Sequence, residues 1–113
     1  MSKKILVFGG TGSIGKALSK KLKKDNYEPI IISRNEEELK VVSAEIDCDY
    51  KVCDVLDSEK IKTISEEYKD QVYGIAYCVG SINLKPIKIS KDEDYIESFK
   101  INTLGAINII RLN

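Results

Sequence analysis

Short apolar runs and segments of helically spaced apolar residues alternate along this chain. Ile5 to Phe8 is apolar without interruption, the look of a strand covered on both faces in a parallel sheet. After it, Ile14, Leu18 and Leu22, joined by Ala17, recur at helical spacing with lysines between them. A helix with an apolar stripe and a solvated lysine face is expected there. Asp25-Asn26 ends it, and Tyr27 to Ile32 predicts a second strand, with Pro29 at its beginning, where a missing N–H is tolerable. Asn35 suits the N-cap of a second helix, with Glu36, Glu37 and Glu38 in the first turn and Leu39, Val42 and Ile46 buried. Asp49 to Cys53 reads as a third strand. Asp57-Ser58-Glu59 opens a third helix with Ile61, Ile64 and Tyr68 on one face. Val72 to Val79 is a fourth strand ending at Gly80, and a loop with Pro86 leads to a long final helix from about Lys91, carrying Tyr95, Phe99, Leu104, Ile107 and Ile110.

This rhythm predicts βαβ units with right-handed crossovers. The fold class is α/β, a Rossmann-like doubly wound parallel sheet in three layers, partial, with strand order 3-2-1-4. No internal repeat, linker or low-complexity stretch marks a second domain, so residues 1–113 are read as one domain.

The turn between the first strand and first helix carries the chemistry. In Val7-Phe8-Gly9-Gly10-Thr11-Gly12-Ser13-Ile14-Gly15, Gly9 lets the chain turn sharply and Gly12 lets backbone approach a pyrophosphate. Gly15 allows close helix packing. The N–H groups of the first helical turn then face an anion at the positive end of the helix dipole. With seven glycines in the chain, an ordinary strand-to-helix turn is the plainer alternative, but the position after the first strand is the context a dinucleotide turn requires.

Composition narrows the classes. Lys plus Arg and Asp plus Glu are 18 each, so the net charge is zero and nothing global favours nucleic acid or a membrane surface. Cys48, Cys53 and Cys78 form no Cys-x-x-Cys pair and histidine is absent, which argues against a zinc site. An odd number of thiols without a secretory segment suggests the reducing cytoplasm.

Ser33-Arg34 follows the second strand, about twenty residues beyond the glycine turn, where a dinucleotide fold meets the adenosine ribose. A guanidinium there holds the 2′-phosphate of NADP(H), whereas an acid would favour NAD(H), so NADP(H) is expected to be preferred; a surface arginine is the alternative. Asp54-Val55 after the third strand can accept from the adenine amino group and pack on the ring, or Asp54 can serve as a turn or cap residue. Tyr77-Cys78-Val79-Gly80 ends the fourth strand, where open parallel sheets place ligands. Cys78 reads as a small hydrophobe rather than a nucleophile.

These motifs, with Ile101-Asn102-Thr103-Leu104-Gly105 in the last helix, fall in an order that resembles the cofactor-binding half of short-chain dehydrogenases/reductases over essentially all 113 residues. The resemblance implies that Gly9, Gly12, Ser13, Ile14 and Gly15 line the pyrophosphate and that Ser33 and Arg34 take the 2′-phosphate. Asp54 and Val55 would hold adenine, and Gly80 would flank the nicotinamide ribose. Asn102 would match the helix asparagine of the catalytic set that supports a proton-relay water. A buried asparagine satisfied by backbone is the alternative for Asn102. The resemblance also implies a small carbonyl or alcohol substrate and a homo-oligomer to which the last helix contributes.

The chain departs from the family pattern in three places. Phe8 and Ser13 replace a threonine and a glycine of the usual Thr-Gly-x-x-x-Gly-x-Gly, giving a spacing similar to the extended, sugar-nucleotide-modifying branch. Tyr77-Cys78 replaces Asn-Asn. None of the six tyrosines has a lysine four residues on, so the family's Tyr-x-x-x-Lys acid is not among these residues. The chain is therefore expected to be the cofactor-binding part of a longer NADP(H)-dependent reductase or dehydrogenase. A non-catalytic NADP(H)-binding or sensing module is the second reading, and a sugar-nucleotide epimerase-like enzyme the third.

Overall fold

The computed structural model describes residues 3–80 and 91–112. Its strands are β1 (Lys3–Phe8), β2 (Tyr27–Ser33), β3 (Asp49–Val52) and β4 (Val72–Tyr77). Its helices are α1 (Ser13–Lys24), α2 (Glu36–Ile46), α3 (Ser58–Glu67), α4 (Asp92–Phe99) and α5 (Gly105–Leu112), the last two joined by a π-helical turn over Lys100–Leu104. The loop expected around Pro86 lies outside the described residues. Every strand pair is parallel and the order is β3-β2-β1-β4, the order the alternation predicts.

The uninterrupted apolar runs are explained by burial on both faces. In β2, Ile30 and Ile32 join Leu6, Phe8 and the α3 residues Ile61 and Ile64 in one core layer, with Ile109 of α5 beside them. Ile31, between them, points the other way onto Leu39, Val42 and Ile46 of α2. Successive strand residues face opposite layers, so a sheet covered on both sides needs apolar residues at every position. Asn35 accepts from the Glu38 N–H at 3.2 Å and Asp57 from the Lys60 N–H at 3.1 Å, capping α2 and α3 as their positions predict.

Four expectations are corrected. Pro29 is the third residue of β2 and pairs with Ile5, not the strand's beginning. Because β3 pairs only from Ile30 onward, Pro29 has a strand neighbour on the β1 side alone, an edge-like position of the kind that tolerates proline. Of the expected α1 stripe Leu18 and Leu22 are partly buried, but the fully buried positions are Gly15 and Ser19, while Ile14 is 75% exposed and Ala17 is also exposed. The Ser19 hydroxyl donates to the Gly15 carbonyl at 2.8 Å, which satisfies it inside the core. β4 ends at Tyr77, although the Cys78 N–H still reaches the Phe8 carbonyl at 2.7 Å. The last helix is interrupted rather than continuous, and α5 buries Gly105, Asn108 and Ile109. Ile107 and Ile110 stay exposed because these buried positions, three and four apart, put the contact face of α5 on its other side, and Tyr95 and Phe99 are exposed on α4, which buries no residue.

Candidate functional site

A parallel sheet brings the carboxyl ends of all its strands to one edge, and that edge carries the candidate residues. Gly9 leaves β1 at φ +82°, a left-handed conformation, and a Cβ there would stand 2.7 Å from the Cys78 carbonyl carbon and 2.9 Å from the Val79 nitrogen. Only glycine fits both constraints. The Gly9 N–H donates to the Ile32 carbonyl at 2.8 Å, and the Gly12 N–H returns to the Gly9 carbonyl at 3.2 Å. Thr11 donates to the Ser33 hydroxyl at 3.4 Å, so the turn is tied to the end of β2.

A cavity of about 210 Å³ opens at this edge. Gly9, Ser33, Arg34, Asp54, Val55 and Gly80 all line it, drawn from the ends of all four strands. Arg34 is exposed, and among the described residues no carboxylate pairs with it. Asp54 is exposed and its carboxylate accepts from the Leu56 N–H at 2.9 Å, so it does serve its own turn while facing the cavity. Val55 is buried and belongs to both the cavity wall and the core.

Gly12, Ser13, Ile14 and Gly15 are not on the cavity wall; they form the start of α1, three residues beyond Gly9. Unlike α2 and α3, α1 has no capping side chain and no acid in its first turn. Its first intrahelical bond is from Lys16 to the Gly12 carbonyl at 2.8 Å, which leaves the Ser13, Ile14 and Gly15 N–H groups without a helical acceptor. A Cβ at Gly12 would meet nothing nearer than the Gly9 oxygen at 3.6 Å, so space is open beside those donors. An uncapped helix start, an open approach and an adjoining cavity with a cation at its rim fit an anionic ligand that carries a flat, partly apolar group.

Asn102 does not line the cavity, but its Oδ1 lies 3.2 Å from where a Cβ of Gly80 would be. It is exposed rather than buried, and its amide donates to Ser98 at 3.0 Å. The wall also includes Val79, which stands in the strand-end motif before Gly80, and Glu97 and Ile101, which were given no role from the sequence. Glu97 has no signal in the sequence, since its direction depends on the phase of α4. Ile101 is adjacent to Asn102 and was within reach of the same motif. A larger, open groove of about 830 Å³ runs from the end of α3 along Val72 to Ile75 and holds none of the candidate residues.

Burial pushes the Cys53 thiol at the cavity wall up to about 11, with the Asp57 charge adding to it, and burial lifts Cys48 to about 11 as well. Burial also raises Cys78, which keeps it a neutral thiol and unsuited to nucleophilic work. For stability the sign is unfavourable above pH 9: an unfolded chain releases these protons first, so folding is favoured less as pH rises from 9 toward 11. Denaturant melts at pH 8.5 and 10.5 are expected to show a smaller loss for Cys48→Ala/Cys53→Ala than for wild type. Equal losses would remove the shift.

A model of the family described as "short chain dehydrogenase" matches residues 3–113. Carbonyl reductase family member 4 of Xenopus laevis is 32% identical over 116 residues, covering 99% of this chain and 49% of that protein. The 3-oxoacyl-[acyl-carrier-protein] reductase of Mus musculus is 29% identical over 112 residues, covering 95% and 48%. The chain thus spans about half the length of these relatives. Among solved structures, an F189W actinorhodin polyketide ketoreductase with NADPH superposes with a TM-score of 0.90 at 22% identity, over 98% of this chain and 46% of that one.

Proposed function

The chain belongs to the short-chain dehydrogenase family, and from that premise we propose that it binds a nicotinamide dinucleotide, NADP(H) in preference to NAD(H), for a carbonyl reductase or alcohol dehydrogenase. The observation that carries the reading is the convergence of Gly9, Ser33, Arg34, Asp54, Val55 and Gly80 on one cavity beside the uncapped start of α1. The bound dinucleotide supplies hydride exchange at its nicotinamide ring. The chain's own part is to hold it. Ser13, Ile14 and Gly15 N–H groups meet the pyrophosphate beside the open Gly12, and Ser33 and Arg34 meet the 2′-phosphate. Asp54 and Val55 receive adenine, Gly80 flanks the nicotinamide ribose, and Asn102, next to it, supports a proton path to the substrate.

The names of the relatives, reductases of carbonyl or 3-oxoacyl groups, support a small carbonyl or alcohol as substrate. Because the Tyr-x-x-x-Lys pair is not in these residues, the proton for the carbonyl is not supplied by this segment. The three free thiols support work in a reducing compartment such as the cytoplasm. Fluorescence titration with NADPH and NADH tests the reading: NADPH is expected to bind more tightly, and no binding of either sinks it.

The proposal includes a homo-oligomer. Tyr95, Ile96, Phe99, Ile107 and Ile110 expose half or more of their surface on α4 and α5, an apolar area that an aqueous monomer would not favour. Sedimentation at micromolar concentration should show a dimer or larger species. A monomer over the whole concentration range counts against it.

A further inference from the structure

We infer that Tyr77 is a positioning residue for the cavity, its hydroxyl standing in for a missing helical N–H at Ile101 and thereby holding the π-helical turn that carries Ile101 and Asn102. The inference rests on the dinucleotide reading for its consequence, but not for its geometry. In an unbroken α-helix the Gly105 N–H would bond the Ile101 carbonyl; here it reaches one residue further back, to the Lys100 carbonyl. The Ile101 carbonyl, deprived of that donor, accepts from the Tyr77 hydroxyl at the end of β4. A residue of the sheet thus closes the gap in a helix.

Gly105 completes the fit. A Cβ at that position would overlap the Tyr77 hydroxyl and come within 3.1 Å of Val55 Cγ2, so the absent side chain is what lets the phenol reach the carbonyl. Tyr77 is partly buried against the core layer that includes Val55, and its hydroxyl is held neutral by that burial and by the Asp54 charge, as a donor must be. The turn so held puts Ile101 on the cavity wall that Arg34 and Asp54 also line, and Asn102 against Gly80. Tyr77 itself is not on the wall. It acts through the turn.

Tyr77→Phe removes the donor and keeps the ring. Amide hydrogen exchange, followed by residue in the full chain, is expected to quicken about tenfold over residues 100–106, the size of one lost hydrogen bond, and to leave β1 and β2 unchanged. NADPH affinity is expected to fall about fivefold to tenfold with little change in melting temperature, since a cavity wall moves but the core does not. Gly105→Ala, which pushes on the hydroxyl from the other side, should loosen the same residues. In the double variant the two effects on exchange should be less than additive, because both act on one contact. Unchanged exchange over 100–106 in Tyr77→Phe overturns the inference. So does quickened exchange with unchanged NADPH affinity, or a loss of affinity that merely follows a general loss of stability. Should wild type fail to bind NADPH, the dinucleotide reading falls and with it the role in the cavity, while exchange still decides whether Tyr77 holds the turn.

Discussion

Replacing Gly15 with alanine is expected to destabilise the fold by about 3 kcal/mol, the upper end for overpacking, and to abolish dinucleotide binding. Helix propensity alone predicts the reverse, since alanine is favoured over glycine inside a helix by about 1 kcal/mol. Packing decides the sign. A Cβ at Gly15 would overlap the Gly9 carbonyl oxygen and stand 2.9 Å from Gly10 Cα, and both neighbours are backbone. Neither can yield, because Gly9 is held by its bond to the Ile32 carbonyl and wedged against the Cys78-Val79 peptide. Helix α1 would have to lift from the glycine turn, exposing the buried Ser19 and tilting the uncapped N–H groups proposed to meet the pyrophosphate. Thermal melts should show a fall of roughly 12–24 °C, taking about 4–8 °C per kcal/mol in a small domain. Gly12→Ala is the contrasting variant: its Cβ meets only the Gly9 oxygen at 3.6 Å, so it should fold normally and lose affinity. A Gly15→Ala protein that melts at or above the wild-type temperature would show that the turn is not packed as described.

What the sequence made legible here is what local periodicity and parallel topology control. Ile30-Ile31-Ile32 reads as part of a second strand, and the structure divides the three between two core layers. Asn35 and Asp57 cap their helices because a side chain three residues before a free N–H acts locally, without tertiary help. The strand-end residues Ser33, Arg34, Asp54 and Gly80 were findable for a topological reason: parallel strands put their carboxyl ends together. Where a helix lies in rotation about its own axis was not legible. Ser19 reads as polar and Ile14 as apolar, yet close packing at Gly15 buries the first and exposes the second. The final helix reads as continuous because no proline or turn residue interrupts it; its π turn is met by Tyr77, which is remote in sequence, and the place of Glu97 on the cavity wall follows from the phase of α4, which the sequence does not show.

Arg34→Ala is expected to cost NADPH tenfold to a hundredfold in affinity, the equivalent of about 1.5–3 kcal/mol for charge-assisted hydrogen bonds, while NADH changes by no more than about threefold. Cofactor choice at this cavity is a contest of charges. Asp54 and Glu97 line the same wall, and Glu36, Glu37 and Glu38 open α2 just beyond Arg34. A 2′-phosphate entering among these carboxylates is repelled unless Arg34 outweighs them. Removing the guanidinium therefore both deletes an attraction and leaves the repulsion unopposed, so the variant should prefer NADH outright rather than become indifferent. Arg34→Lys separates charge from shape: it keeps the cation but loses the planar fork, and should fall between the two. Because Arg34 is exposed, the wild-type preference should also shrink as salt is raised from 0.05 to about 0.5 M, whereas NADH binding should weaken less. Parallel titrations of the three proteins with both cofactors decide the matter. Equal affinities of wild type for NADPH and NADH would remove Arg34 from cofactor selection, and the acids on the wall would then mark a site suited to the unphosphorylated ribose.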